Sequence, residues 1–293
     1  LSSTVPSNES GLPVSGAGLV RVRLDISYDG TDFNGWAVQP RQRTVQEVLQ
    51  DRLRMILRLP ELSLTVAGRT DAGVHATGQV AHFDVDAPRW RDLESSLPRR
   101  LAAVLPVDVR VTAITEMPAD FEARFGALWR RYTYRATDVP TGADPLRRRE
   151  VLAWPRPLDV EAMSLAARGL LGEHNFAAFC RKREGATTIR TLETLQVQRE
   201  GTEILFHVQA DAFCYSMVRS LVGALLAVGD GRRPPDWPVS LLSLQSRADT
   251  VSVAPAHGLT LVAVGYPDNE ELAARAALTR RRRDGIVLEP RRR

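Results

Sequence analysis

With only two cysteines in 293 residues, Cys180 and Cys214, the chain has too few for a disulfide framework, and the count points to the reducing cytoplasm. No run of eighteen apolar residues occurs, so the sequence offers no helix that spans a membrane. Neither an HExxH helix motif nor a paired CxxC is present, and no GxxxxGK[ST] loop exists to cradle a nucleotide phosphate. The Ser-, Gly- and Pro-rich start lacks a basic stretch followed by an apolar one. Residues 1–18 are therefore expected to form a flexible lead-in and not a secretory signal.

The chain also has little net charge to spare. Its formal +4 includes +5 from residues 279–293, where seven Arg face Asp284 and Glu289, so the remainder is close to neutral. Net charge alone thus gives no argument for a nucleic acid. The distribution is more informative. Arg99-Arg100, Arg130-Arg131, Arg147-Arg148-Arg149, Arg181-Lys182-Arg183 and Arg232-Arg233 are local clusters able to track phosphates, although any one of them taken alone is better read as a solvated loop.

Residues 20–28 alternate apolar and polar without a fault, which predicts a half-buried strand ended by Asp29-Gly30. Thr44-Val45-Gln46-Glu47 reads as a capping box opening a helix with Val45, Val48, Leu49, Leu53, Ile56 and Leu57 on its apolar face. Strands at 62–67 and 80–85, a helix near 90–104 and a strand near 107–114 complete a β-α-β-β-α-β order compatible with a ferredoxin-like half. A similar alternation returns after residue 120, with strands at 128–136, 189–198, 202–210 and 259–266 and helices at 159–171 and 213–228. The expected fold is α+β: two ferredoxin-like halves, 19–120 and 121–268, with mostly antiparallel sheets joined into one extended sheet. An active-site cleft is expected between the halves, and residues 269–293 are expected to be a basic, disordered tail.

Three features carry chemistry. The first is Gly68-Arg69-Thr70-Asp71-Ala72-Gly73-Val74-His75-Ala76, an acid on a Gly-rich turn between strands. Glycines on both sides let the backbone adopt positive φ and approach closely, yet an ordinary Asx turn explains this segment alone equally well. The second is Arg219, the sole charged residue between Asp211 and Asp230, in a helix whose neighbouring positions are Tyr215, Ser216, Val222 and Gly223. A buried guanidinium without a partner costs on the order of 3–5 kcal/mol, so Asp71 is its candidate partner unless the side chain snorkels to solvent. The third is Phe121-Glu122-Ala123-Arg124-Phe125 followed by Arg130-Arg131-Tyr132-Thr133-Tyr134. Tyr132 and Tyr134 share a strand face and suit either a core or a stacking platform for a flipped base.

These residues, in this order, resemble the TruA family of tRNA pseudouridine synthases. The resemblance adds Tyr28-Asp29-Gly30 with Gly35-Trp36, His174-Asn175-Phe176 with Phe179, Met217-Val218-Arg219 with Gly223, and Ala254-Pro255-Ala256 with Gly258-Leu259, covering roughly residues 20–267. Ala37, Cys214, Ser216 and Thr260 depart from the family's pattern. The resemblance implies an enzyme that isomerises uridine to pseudouridine at positions 38 to 40 of the tRNA anticodon stem-loop. It implies a homodimer that uses no metal and no organic cofactor. Carried over by motif, Asp71 is the catalytic aspartate, Arg219 its salt-bridge partner, and Tyr132 the residue that stacks on the target base. Arg69 displaces or holds the flipped nucleotide, and Leu259 packs against the base. Glycosidases need two carboxylates, but uracil leaves as a stabilised anion, so one aspartate suffices. Asp71 either attacks C1′ or removes a sugar proton, and Tyr132, directly or through water, is the candidate base for the C5 proton.

Two other readings compete. His75, His82 and Asp84 lie close enough in sequence to suggest a metal-dependent hydrolase, and a non-catalytic RNA-binding module would share the binding residues without turnover. The tail separates attraction from chemistry. Deleting residues 279–293 is expected to weaken nonspecific RNA affinity at low salt while leaving turnover intact, measured by filter binding across a salt series beside a rate assay.

Overall fold

The computed structural model describes residues 18–181 and 187–283. Residues 1–17 of the expected 1–18 lead-in, Lys182-Arg183 and residues 284–293 lie outside the described residues. The first part of the chain runs β1 (Leu19–Tyr28), α1 (Val45–Leu57), β2 (Thr65–Val66), β3 (His75–Asp86), α2 (Ala87–Leu93), α3 (Leu97–Val104) and β4 (Val109–Met117). The second runs β5 (Trp129–Thr137), β6 (Leu152–Ala153), α4 (Val160–Arg168), β7 (Gly172–Asn175), β8 (Ile189–Glu200), β9 (Glu203–Ala210), α5 (Met217–Gly229), α6 (Trp237–Ser240), β10 (Leu259–Gly265) and α7 (Leu272–Arg283).

Among the described residues the strands form one mixed sheet in the order β4-β1-β3-β10-β5-β9-β8-β7, with β2 on β3 and β6 on β5. The protein is thus α+β with a single large sheet. Pairing is antiparallel except between β10 and β3 and between β5 and β6. The seam is the consequential part. Thr260 and Leu261 of β10 lie beside His75 and Ala76 of β3, while the other edge of β10 sets Leu261 opposite Tyr132 of β5. One short late strand therefore fixes the strand that follows the Gly-rich turn against the strand that carries the tyrosines.

The alternation in β1 appears as Val20, Val22, Leu24, Ile26 and Tyr28 buried on one face. Helix α1 begins at Val45, where the T-x-x-E pattern predicts, but by another mechanism. Thr44 makes no side-chain capping bond. The carbonyls of Gly35 and Trp36 instead accept from the amides of Val45 and Gln46, so a neighbouring segment does what a capping side chain ordinarily does. Every residue of α5 is buried except Arg219. Each of its leucines stabilises the fold by roughly 1.5–3 kcal/mol. Gly223 lets the chain at Ser252–Ala254 press onto this helix, since a Cβ there would lie 1.9 Å from the Ser252 carbonyl oxygen.

One expectation is corrected. The segment from 269 is not disordered as far as residue 283: a 3-10 turn at Asn269–Glu271 leads into α7. Leu272 buries itself with Phe121, Ala123, Ala67 and Val80 in a small second core, which is the apolar contact that orders the helix. The two cysteines stand together, with the Cα atoms of Cys180 and Cys214 5.7 Å apart, a proximity that a count of two does not by itself indicate.

His82 of β3 shows how one imidazole joins two segments. Its Nδ1 accepts from the Ala123 amide at 3.1 Å, and its ring meets Phe121 edge-on. Burial, aided by Arg21, holds its pKa at about 4, below the ordinary 6.5. Between those values the unfolded chain binds a proton that the folded chain does not, so stability falls as pH drops from 6.5 to 4, by up to about 3 kcal/mol. Urea unfolding at a series of pH values is expected to show this loss in the wild type and a flatter dependence in His82→Asn.

Candidate active site

The turn between β2 and β3 is held from several directions. The Trp36 amide donates to the Thr70 carbonyl at 3.1 Å, and the Gly73 amide to the Phe33 carbonyl at 3.2 Å. Gln79 Nε2 donates to the Gly68 carbonyl at 2.8 Å, and Tyr28 Oη lies 2.8 Å from Thr70 Oγ1. Gly35, at φ 86°, passes so close to the turn that a Cβ would stand 2.8 Å from the Thr70 carbonyl oxygen. Asp71 closes its own turn by accepting from the Val74 amide through its carbonyl. Its side chain is therefore presented from a main chain that cannot drift, the preorganisation that positioning chemistry requires.

Opposite it stands Arg219. Its Nε donates to the Ala254 carbonyl at 2.7 Å, and Nη1 lies 3.5 Å from Asp71 Oδ2. Both side chains remain about 20% exposed, so the pair borders an opening. The close approach that Gly223 allows brings Ala254 into range, where it anchors the guanidinium on one side and leaves the other for the carboxylate.

Tyr132, 8% exposed on β5, lies near the same pair. Burial, with Tyr28 and Asp71 adding to it, pushes its phenol well above the ordinary tyrosine value. Phe213, on the approach to α5, stands edge-on to the Tyr132 ring at 5.3 Å and fixes its plane. Tyr28, beneath the turn, is likewise pushed up by burial, to about 12. Burial thus favours the protonated form of both phenols.

The other expected site residues fall out differently. Leu259, at the start of β10 opposite Tyr134, is 5% exposed and belongs to the main core. Arg69 is exposed beside Asp71. Arg130, grouped with Arg131 as a phosphate contact, turns inward onto main-chain carbonyls, whereas Arg131 stays exposed beside Gln209. The three residues of the metal reading have separate tasks. His75 Nδ1 accepts from the Gly30 amide, and its Nε2 meets the carbonyls of Arg149 and His257. His82 holds Ala123, and Asp84 makes a two-pronged pair with Arg21 at 2.8 Å. Among the described residues no group of three His, Cys, Asp or Glu is placed to hold a metal ion.

Sequence reasoning missed Gln79, Thr70, Phe213 and the Ala254 carbonyl as supports. Phe213 carried a signal, lying six residues before Arg219; the others depend on contacts between distant segments.

Comparison with known proteins identifies the family. A family model described as tRNA pseudouridine synthase matches residues 26–126 and 166–267. A curated tRNA pseudouridine synthase A from Frankia casuarinae is 61% identical over 267 residues, covering 90% of this chain and 95% of the relative. Those from Streptomyces avermitilis and Mycobacterium leprae are 57% and 54% identical, covering 91% and 89% of this chain and 95% and 94% of theirs. With the family model spanning both sides of the Asp71–Arg219 pair, the chain belongs to the tRNA pseudouridine synthase family.

Proposed function

We propose that this enzyme isomerises uridine at positions 38 to 40 of the tRNA anticodon stem-loop, with Asp71 as the catalytic carboxylate. The observation that carries the reading is the 3.5 Å pair of Asp71 with Arg219 at a partly open position beside Tyr132. The guanidinium, itself anchored on the Ala254 carbonyl, aims the carboxylate into the opening. The target uridine leaves its stack and its base lies on Tyr132, whose ring Phe213 has already oriented. Asp71 acts at the sugar as the C1′–N1 bond breaks and uracil departs as an anion. The base turns, C5 bonds to C1′, the C5 proton passes to water beside Tyr132 and N1 takes one from water, so that atoms and charge balance. Tyr132 supplies the stacking surface and, through water, the route by which the C5 proton leaves.

Arg69, exposed beside Asp71, holds the displaced nucleotide, and Leu259 packs against the base. The two segments 19–120 and 121–268 act as ferredoxin-like halves meeting at the β3–β10 seam, with the cleft above it. A homodimer offers one tRNA two basic surfaces, and the cytoplasm is the compartment where such a substrate is met.

tRNA carrying tritium at C5 of uridine tests the reaction directly. Wild type is expected to release tritium and Asp71→Asn to release none while still binding tRNA. No release by wild type from any suitable tRNA would leave an RNA-binding module as the better account. Arg219→Leu is expected to lower turnover on the order of 100-fold with tRNA affinity nearly unchanged, in single-turnover and filter-binding measurements. Near-normal turnover would remove the pair from the mechanism.

A further inference from the structure

Arg130 lies on β5 two residues before Tyr132, on the same face of the strand. Its hydrogen bonds reach the main chain of three separate segments. Nη1 donates to the Asp211 carbonyl at 2.8 Å, and Nη2 donates to the carbonyls of Ala67 at 2.9 Å and Arg124 at 2.6 Å. Ala67 is the residue before the Gly68–Gly73 turn, and its own amide is held by the Val80 carbonyl at 2.8 Å. Asp211 begins the stretch that passes through Phe213 into α5, the helix of Arg219. Arg124 belongs to the segment 121–125, packed by Phe121 and Ala123 into the second core.

We infer that Arg130 is a positioning residue, a three-way clamp that sets the turn of Asp71 and the approach to Arg219 against the strand of Tyr132. A half-buried guanidinium is a costly way to hold carbonyls, and an apolar side chain would leave all three without this donor. What distinguishes the planar fork is geometry: donors diverging from one rigid plane hold several acceptors at fixed relative positions. The segments so held are those whose separation determines whether Asp71 and Arg219 meet. The clamp acts through main chain alone and touches neither base nor phosphate.

This assignment rests on the pseudouridylation reading, and its test separates the two. Arg130→Lys keeps a cation but loses the fork; Arg130→Gln loses both. Single-turnover tritium release is expected to fall about tenfold for Arg130→Lys and on the order of 100-fold for Arg130→Gln, because misplacement of reacting groups by about 1 Å has effects of that size. The tRNA dissociation constant and the melting temperature of Arg130→Lys stay close to wild type. Hydrogen exchange adds a readout independent of turnover. The amides of Trp36 and Gly73, which lie against the turn, are expected to exchange faster in both variants, while those inside α5 do not change. A silent wild type would overturn the reaction and leave the clamp to be judged by exchange. Affinity falling in step with rate would make Arg130 a phosphate contact. Unchanged rate and exchange, or failure of both variants to fold, would reduce it to a structural residue; each of these results overturns the proposal.

Discussion

A carboxylate and a guanidinium separated by 148 positions in the chain must meet at 3.5 Å, and much of the architecture answers to that requirement. Neither group stands on the other's element. Asp71 rides on a turn that Trp36, Phe33, Gln79 and Tyr28 hold by main-chain and side-chain bonds, and Arg219 rides on a helix buried everywhere else. Coulombic attraction at this distance is substantial in a partly desolvated setting but cannot by itself order a turn against a helix. The scaffold does the ordering and the charge pair is its result.

The same economy appears in how polar groups are used away from the pair. His75 and His82, which sequence proximity invites one to read together, face separate main-chain partners at Gly30 and Ala123. Arg21 and Asp84 neutralise one another across the β1–β3 ladder. The histidines and arginines nearest the turn thus stitch backbone segments that have no ladder of their own. Thr44 shows the converse: main-chain carbonyls of Gly35 and Trp36 take over the work expected of its hydroxyl.

Elements with a strong local signal were readable in advance. β1 follows its perfect alternation, α1 its apolar period, and the hairpin of β8 and β9 its two strand runs separated at Gly201. Arg219 was legible because a lone charge in an apolar helix demands a partner, and the tyrosines because strand period puts them on one face. What local pattern does not encode is assembly. The helix expected from 213 starts only at Met217, since Ser216 takes a left-handed φ of 64° and breaks the run. β6 and β7 are too short to show a period. α7 carries a run of arginines that reads as a tail, and its order depends on Leu272 finding the second core. Arg130 looked like a surface cation beside Arg131 because adjacent strand residues point to opposite faces, and only the packed sheet reveals which of the two is inside.

Strand β10 joins the β3 edge to the β5 edge, yet among the described residues it is the last strand to be synthesised. A nascent chain can pair β1, β3 and β4 early, and β5, β8 and β9 later, from segments already available. Until Leu259–Gly265 leave the ribosome, both blocks present an unsatisfied row of amides and carbonyls at the edges destined for β10. Polypeptides interrupted shortly before residue 259 would carry two adhesive edges and no seam, which makes late truncation in this protein a route to aggregation as well as to lost function.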